Sequence, residues 1–219
     1  MTGMLTGSEI YKQVKNGRIE ITPFAKERIN PNSYNLQLDD HLKIYEPPIP
    51  DEVPDGSVYS VDDNWNYKVW SSPKSITYET SGTAYLDLHK QNETEDMWID
   101  HDKGIILYPG KLYLGTTIER THTNFYVPML NGRSSVGRKG LTIHVTAGFG
   151  DIGFDGKWTL EMTVVHPLKI YYGDEICQIS FFDIDGDNYY LYNGRYQKQD
   201  DVVESRFEEE KKGMFTDER

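Results

Sequence analysis

Cysteine is nearly absent from this chain of 219 residues, in which Cys177 is the only one. A single thiol excludes an intrachain disulfide framework and a cysteine-rich zinc site. The chain also lacks an apolar run long enough to span a membrane. Its first residues, MTGMLTGSEIYKQVKNG, do not have the basic and then apolar layout of a signal peptide. We therefore expect a soluble protein of a reducing cytoplasm, or of the host cytoplasm if the protein is viral.

Basic residues are also scarce, because 23 Lys and Arg face 35 Asp and Glu and the formal net charge is -12. Nucleic-acid binding depends on Lys and Arg that neutralise phosphates, so neither DNA nor RNA is expected as the main partner. The net charge does not exclude a small anionic ligand. A few local arginines, backbone amides and a Mg2+ ion can hold a triphosphate inside an acidic protein.

The pattern H-x-E…P-C-x-x-C, with which zinc-dependent base deaminases hold their metal, is missing. The six histidines are scattered, without a pair at i,i+4 spacing, so no transition-metal site is expected. Ser134, His144 and Asp151 leave a Ser-His-Asp hydrolase as an alternative. That alternative ranks low because no G-x-S-x-G turn accompanies these residues.

Aromatic residues and glycine are plentiful, with 16 Tyr, 8 Phe and 19 Gly among short alternating stretches. These features predict a mainly β fold, with strands that include residues 111–117, 158–165 and 176–182. One short helix is predicted near the start, over residues 8–15. Ser8 is its expected N-cap, Ile10 and Val14 share one face, and Asn16 with Gly17 ends it.

The chain divides into zones of different composition. We expect one domain over residues 1–207, with an insertion at about 47–104 that opens with PPIPDEVPDG and has weak periodicity. The insertion is read either as a surface loop or extra strands, or as a regulatory or partner site. Residues 208–219 form a charged C-terminal tail, which is either solvated or a lid that orders over a ligand.

The segment 131–162, NGRSSVGRKGLTIHVTAGFGDIGFDGKWTLEM, is the richest in chemistry. Arg133, Ser134, Ser135 and Arg138 stand together between and beside glycines, which let backbone amides approach an anion closely. The composition is that of a phosphate cradle. Such a turn can equally serve only to satisfy its own backbone.

Two of the three carboxylates in the same segment, Asp151 and Glu161, are candidate site residues. Asp151 lies in a glycine-punctuated turn, which either places it at a pocket or forms an Asx-type turn. On strict alternation Glu161 shares a strand face with Thr159 and Thr163. That face either meets solvent or is covered, and a covered carboxylate would have a raised pKa that suits a general base.

These segments, with others in the same order along the chain, resemble the dCTP deaminase family, whose fold is shared with trimeric dUTPases. The resemblance covers roughly residues 5–46 and 105–207. It is carried by ITPFAKERINPNSYNLQLDD, YPGKLYLGTTIER, GRSSVGRKGLTIHVTAG with DIGFDGKWTLEM, YYGDEICQISFF, and YNGRYQKQDDVVESRF. It implies a distorted β-barrel of the dUTPase-like type with a short N-terminal helix, assembled as a homotrimer with active sites at subunit interfaces.

The resemblance also implies roles for individual residues. Glu161 would be the general acid and base, with Ser134 positioning the attacking water and Arg138 fixing the arrangement. In dUTPases the position of Glu161 generally holds an apolar residue, which favours deamination here. The substrate-binding residues that the resemblance implies are Arg133, Ser134 and Ser135 at the triphosphate, the backbone of Thr146 and Ala147 at cytosine, Asp151 and Phe154 at deoxyribose, Gln178, and the closing residues Arg195, Tyr196 and Gln199.

Mg2+, bound mainly through the nucleotide triphosphate, is the implied cofactor, and zinc is not expected. The implied partners are dCTP or dUTP as substrate, with dTTP as an inhibitor and neither nucleic acid nor membrane. Gly148 and Phe149 after Ala147 favour members that continue from dUTP to dUMP and pyrophosphate. Two alternatives remain, a plain dUTPase in which Asp151 activates water, and a non-catalytic nucleotide-binding regulator.

Four positions depart from the family pattern. Asn35 stands where the family usually has Asp, and Asp39 where it has Gly, and both changes read as structural. Ile152 replaces a common Pro, and Arg195 a common Lys.

Overall fold

The computed structural model describes residues 3–48, 58–70, 79–187 and 190–207. Its helices are α1 (Gly7–Lys15) and α2 (Ser134–Gly137), with a 3-10 turn at Lys26–Arg28. Its strands are β1 (Glu20–Thr22), β2 (Tyr34–Gln37), β3 (His41–Tyr45), β4 (Val58–Val61), β5 (Asn66–Trp70), β6 (Glu79–Thr83), β7 (Thr94–Trp98), β8 (Ile105–Leu107), β9 (Tyr113–His122), β10 (Val127–Gly132), β11 (Leu141–Thr142), β12 (Asp155–Val164), β13 (Leu168–Ile170) and β14 (Glu175–Phe182). The prediction of a mainly β fold with a short N-terminal helix is confirmed.

The N-terminal helix α1 begins one residue earlier than predicted. Thr6, not Ser8, is its N-cap, and the Thr6 hydroxyl accepts a hydrogen bond from the backbone N–H of Glu9. The prediction of Ser8 as the cap is therefore wrong, since either hydroxyl could begin the helix and only the backbone geometry decides between them. Ile10 is buried, and the helix ends at Asn16 as expected.

Two compact units are present, and the first comprises the described parts of residues 1–44 and 96–204. Its largest sheet has the order β11-β12-β9-β3-β7, with β1 also paired to β9. A second sheet has the order β10-β14-β2, and β13 pairs with β8. In β12, residues from Leu160 onward alternate between buried and part-exposed, with Leu160, Met162 and Val164 in the core. This alternation is what positions the functional face of the strand.

The second unit comprises the described parts of residues 45–95 together with 205–207. Within it, β4, β5 and β6 form an antiparallel sheet, and Tyr67, Val69 and Ala84 make a small core. The segment read as an insertion thus contains strands of its own among its described residues. Its regulatory or partner role stays a prediction.

The predicted strands at 111–117, 158–165 and 176–182 are all present, as β9, β12 and β14, with boundaries shifted by a few residues. The charged tail predicted for 208–219 lies outside the described residues. Among the residues that are described, no helix combines the length and the apolar character needed to cross a membrane.

Candidate active site

The predicted phosphate cradle forms a tight turn between two strands. Arg133 is extended and follows β10, and α2 provides the single helical turn that leads to Arg138. Ser134, Ser135 and Arg138 are exposed. Their side chains make no hydrogen bond or ion pair with any described residue, so their donors are free to meet an anion. The alternative that the two serines merely bond to their own backbone is therefore not what the structure has.

Arg133, unlike its neighbours, is anchored. One terminal nitrogen of its guanidinium donates to the backbone carbonyl of Glu175 at 2.6 Å and lies 3.0 Å from the Glu175 carboxylate. Gln178, three residues further along β14, donates to the carbonyl of Gly132 at 3.2 Å and accepts from the Ser33 hydroxyl at 2.8 Å. Strand β14 therefore holds both Arg133 and the strand end from which the cradle begins.

Glu161 lies on the part-exposed face of β12 with Thr159 and Thr163, as the alternation predicts. Its Oε2 accepts a hydrogen bond from the backbone N–H of Val145 at 2.8 Å. Its other carboxylate oxygen has no hydrogen-bond partner among the described residues. The carboxylate is thus fixed at one oxygen and free at the other, immediately beside the segment that continues to Thr146 and Ala147.

The structure does not bring Glu161 into contact with Ser134 or Arg138 within one chain. Residues 140–145 run antiparallel along β12, with the Gly140 carbonyl accepting from Val165 N–H and the Ile143 carbonyl from Glu161 N–H. At about 3.3 Å per residue, Glu161 lies roughly 13 Å along the strand from Val165. Arg138 and Glu161 are therefore at opposite ends of this paired segment.

The loop after Val145 presents exposed backbone next to Glu161. Thr146, Ala147 and Asp151 are exposed, and so is Phe149 at 70%. The loop is held by hydrogen bonds from Leu130 N–H to the Gly148 carbonyl and from Gly150 N–H to the Pro128 carbonyl. This attachment to β10 joins the loop to the strand that carries the cradle.

The Ser-His-Asp alternative finds no support in the geometry. No hydrogen bond joins Ser134, His144 and Asp151, and the buried Nδ1 of His144 has no partner. Cys177 is no nucleophile either, because burial raises the pKa of its thiol. Within the residues that the structure describes, His, Cys, Asp and Glu side chains do not gather in groups of three that could hold a metal ion.

The C-terminal segment 190–204 is docked along β12. Gln199 donates to the Lys157 carbonyl at 2.6 Å and to the Thr159 hydroxyl at 3.3 Å, so it lies on the face that carries Glu161. Further along, Asp201 lies 2.8 Å from Nδ1 of His41. The predicted placement of Gln199 near the site thus has a geometric basis, while its contact with nucleotide stays a prediction.

Gln197 and Tyr192 are anchors of this segment that were not predicted from the sequence. Gln197 donates to the Gly153 and Tyr192 carbonyls and accepts from Asp155 N–H, at 2.8, 3.1 and 2.9 Å. The Tyr192 ring meets Phe154 edge-on at 5.9 Å between centroids. Gln197 and Gln199 are separated by one residue in the sequence, and only the fold shows that Gln197 bonds to the Gly153 loop while Gln199 bonds to β12.

Phe154, Arg195 and Tyr196 complete the predicted set. Phe154 packs against Trp158 at 4.8 Å between ring centroids, so its ring is part of an aromatic cluster under the segment. The Arg195 guanidinium lies 5.6 Å from the centre of the Tyr196 ring. Both closing residues therefore lie in the docked part of the segment.

Replacing Gly153 by alanine should release this segment. Gly153 has a φ of 89°, and an added Cβ would lie 2.7 Å from Cβ of Leu191 and 3.0 Å from the Tyr192 backbone nitrogen. We expect a loss of about 1–2 kcal/mol from backbone strain alone, and faster tryptic cleavage after Arg195. The matched control is Gly186→Ala, which has a φ of 98° but no neighbour within 4 Å of the added Cβ. Equal cleavage of both variants would show that strain, and not the clash with the segment, is responsible.

The chain is similar in sequence to known proteins of one family. Residues 4–184 match the family described as dCTP deaminase-like. A Clostridium botulinum (strain Eklund 17B / Type B) protein named dCTP deaminase, dUMP-forming is 47% identical over 203 residues, covering 92% of this chain and 95% of that protein. Proteins of the same name from Clostridium acetobutylicum and Leptospira biflexa are 43% identical over 197 residues and 39% over 202 residues. The alignments cover 89% and 92% of this chain, and 92% and 94% of those proteins.

A solved structure shows the similarity of fold. The crystal structure of 2'-deoxycytidine 5'-triphosphate deaminase from Agrobacterium tumefaciens has a TM-score of 0.54 and 17% sequence identity to this chain. The match covers 83% of this chain and 48% of that one. The similarity supports the predicted distorted β fold.

Proposed function

Because this chain belongs to the dCTP deaminase-like family, we propose that it hydrolyses dCTP to dUTP and ammonia and carries the product on to dUMP and pyrophosphate. The relatives named dCTP deaminase, dUMP-forming support both steps. The observation in the structure that carries the deamination step is the placement of Glu161. One of its oxygens is held by Val145 N–H, and the other is free beside an exposed backbone segment.

The chemistry begins at the free carboxylate oxygen of Glu161. As a water attacks C4 of cytosine, Glu161 takes one proton of that water and passes it to N3. It then takes the second proton from the new C4 hydroxyl and delivers it to the amino group, which leaves as ammonia while C4 becomes a carbonyl. The backbone of Thr146 and Ala147, directly after the hydrogen-bonded Val145, would hold the edge of the base. General acid and base catalysis of this kind contributes about 10²–10⁴-fold, so positioning in a water-poor site must supply much of the remainder.

Ser134 and Arg138 are proposed to act on a nucleotide bound at the Glu161 of a neighbouring subunit. Their separation from Glu161 within one chain supports this arrangement, as does the family's expected homotrimer with active sites between subunits. Ser134 would position the water, and Arg138 would stabilise the charge that develops during the attack. Arg133, Ser135 and Gln178 would then serve the triphosphate end of the substrate.

Mg2+ is proposed to arrive with the triphosphate. The described residues contain no group of three His, Cys, Asp or Glu side chains that could hold an ion, so the oxygens of the triphosphate would hold the Mg2+. Inhibition by dTTP at the same site and a cytoplasmic location belong to the same proposal.

The second step would use Asp151, a second carboxylate of the segment 131–162. Asp151 is exposed in the loop between Phe149 and Phe154, beside the docked C-terminal segment. A carboxylate in that place can activate a water for attack on the α-phosphate. Because Asp151 is exposed in this loop, a plain dUTP diphosphatase is the second candidate function. In that enzyme Asp151 would activate the water and Glu161 would take no part in catalysis.

The products formed from dCTP test this proposal. The protein is treated with a chelator to remove zinc and then incubated with dCTP and Mg2+, and the products are separated. We expect ammonia, dUMP and pyrophosphate, with dUTP as a transient species. Ammonia with dUTP as the end product would limit the protein to deamination. Cleavage of dUTP without ammonia release from dCTP would leave the diphosphatase, and nucleotide binding without turnover would support a regulator.

A further inference from the structure

Asn30, Asn35 and Glu175 are joined by a series of side-chain hydrogen bonds that ends at the guanidinium of Arg133. Asn30 Nδ2 donates to Asn35 Oδ1 at 2.7 Å, and Asn35 Nδ2 donates to Glu175 Oε2 at 2.7 Å. The same Glu175 oxygen lies 3.0 Å from the Arg133 nitrogen, which also donates to the Glu175 carbonyl. Asn35 is buried, with 5% of its surface exposed, whereas Glu175 and Arg133 are part-exposed. The hydrogen bonds therefore connect the buried Asn35 to the cradle through Glu175.

A local irregularity of the sheet gives Glu175 its place in this chain of bonds. The pairing of β14 with β2 shifts register between Glu175 and Cys177, so one residue is extra on the β14 side. Such a bulge redirects a side chain that a regular strand would place on the opposite face. Here the redirected side chain of Glu175 lies between Asn35 and Arg133.

The hydrogen bonds determine which residue type position 35 requires. Because a carboxylate can only accept, the nitrogen and not the oxygen of the Asn35 amide must face Glu175. The Asn35 oxygen is then left to accept from Asn30, as observed. An aspartate at this position would place two carboxylates against each other. Asparagine satisfies both partners, since its amide donates to Glu175 and accepts from Asn30.

We propose that Glu175 and Asn35 are positioning residues that hold the Arg133 guanidinium in place for the triphosphate of the substrate. This inference rests on the proposed function, in which Arg133 meets the phosphates. One terminal nitrogen of Arg133 is occupied by Glu175, and the other nitrogens have no partner among the described residues. An arginine fixed at one end presents its remaining donors in a set direction, which favours planar recognition of phosphate oxygens.

Two single variants and their combination test the proposal through the kcat and KM for dCTP. Asn35→Asp should raise KM about tenfold at about pH 8 with kcat within about twofold, because the phosphates lie far from C4 and contribute uniform binding. Glu175→Gln should raise KM about fivefold, because a neutral acceptor replaces a charged one.

The double variant Asn35→Asp/Glu175→Gln should return KM to within about twofold of the wild type. The new amide can donate to the new carboxylate and accept from Arg133, so the hydrogen bonds are restored with the original net charge. Asn16→Asp and Glu20→Gln make the same charge changes at exposed positions and serve as controls. A merely structural role would lower kcat with the folded fraction and leave KM unchanged.

Several results would overturn the inference. If Glu175→Gln lowers KM, the carboxylate only repels the phosphates. If the double variant is as impaired as the single variants, the hydrogen-bond chain does not position Arg133. Single variants with wild-type KM would overturn the inference and leave the proposed function standing, whereas a wild-type protein without turnover of dCTP would overturn both.

Discussion

Glu161→Gln should lower the kcat for ammonia release from dCTP by about 10²–10⁴-fold, the usual contribution of general acid and base catalysis. The amide oxygen of glutamine can still accept the hydrogen bond from Val145 N–H, so the neighbouring loop should keep its position. What is lost is the ability of the free carboxylate oxygen to take a proton from water. KM for dCTP should therefore change little.

Two parallel measurements make this result specific. Cleavage of dUTP by the Glu161→Gln variant should stay near the wild-type rate, because that step is assigned to Asp151. Glu20→Gln, which removes the same charge from an exposed position on β1, should leave ammonia release unchanged. If Glu161→Gln releases ammonia within tenfold of the wild-type rate, Glu161 is not the general base and the deamination mechanism fails.

Arg28→Ala should destabilise the protein by about 3–5 kcal/mol, the cost of removing one partner from a buried ion pair. Arg28 pairs with the carboxylate of Glu119, which has no exposed side-chain surface. The Gln37 backbone N–H also donates to Glu119 at 2.8 Å. Without the guanidinium, this carboxylate would keep a single donor from the backbone. Urea unfolding at a fixed protein concentration measures the loss.

The pH dependence of that loss follows from the pKa of Glu119. Burial raises the pKa of Glu119 above its ordinary value, although Arg28 and the Gln37 N–H pull it down. A raised pKa means that its contribution to stability is present below the unfolded pKa, about 4.3, and is lost as pH rises through the folded pKa. Removing Arg28 raises this pKa further, so the deficit of Arg28→Ala should be smaller near pH 5 than near pH 8.

Two further variants show whether the loss of stability comes from burial of the charges or from the loss of their pairing. Lys12→Ala breaks the exposed pair of Lys12 with Glu9 and should hardly change the unfolding free energy. Arg28→Met combined with Glu119→Gln removes both charges, keeps an acceptor for the Gln37 N–H and should recover much of the stability lost in Arg28→Ala. A double variant as unstable as Arg28→Ala would mean that lost packing, and not an unpaired buried carboxylate, causes the destabilisation.

Local sequence patterns predicted which helices and strands form better than they predicted the residues at which each element begins and ends. The short helix and the strands β9, β12 and β14 were predictable because apolar periodicity and turn residues are local properties of the chain. The N-cap was not, because Thr6 and Ser8 both have a hydroxyl that could cap the helix. The face shared by Thr159, Glu161 and Thr163 was predictable, because side chains alternate along a strand.

The sequence by itself determined the order of the motifs, the residue types of the cradle and the position of Glu161 among the apolar and β-branched residues of β12. Only the tertiary structure decided which of these groups meet. Asn35 and Glu175 are 140 positions apart, and Arg133 and Glu175 are 42 apart. Their contacts depend on the pairing of β2, β10 and β14 and on one bulge, and strand register across such separations is set by packing that no local pattern encodes.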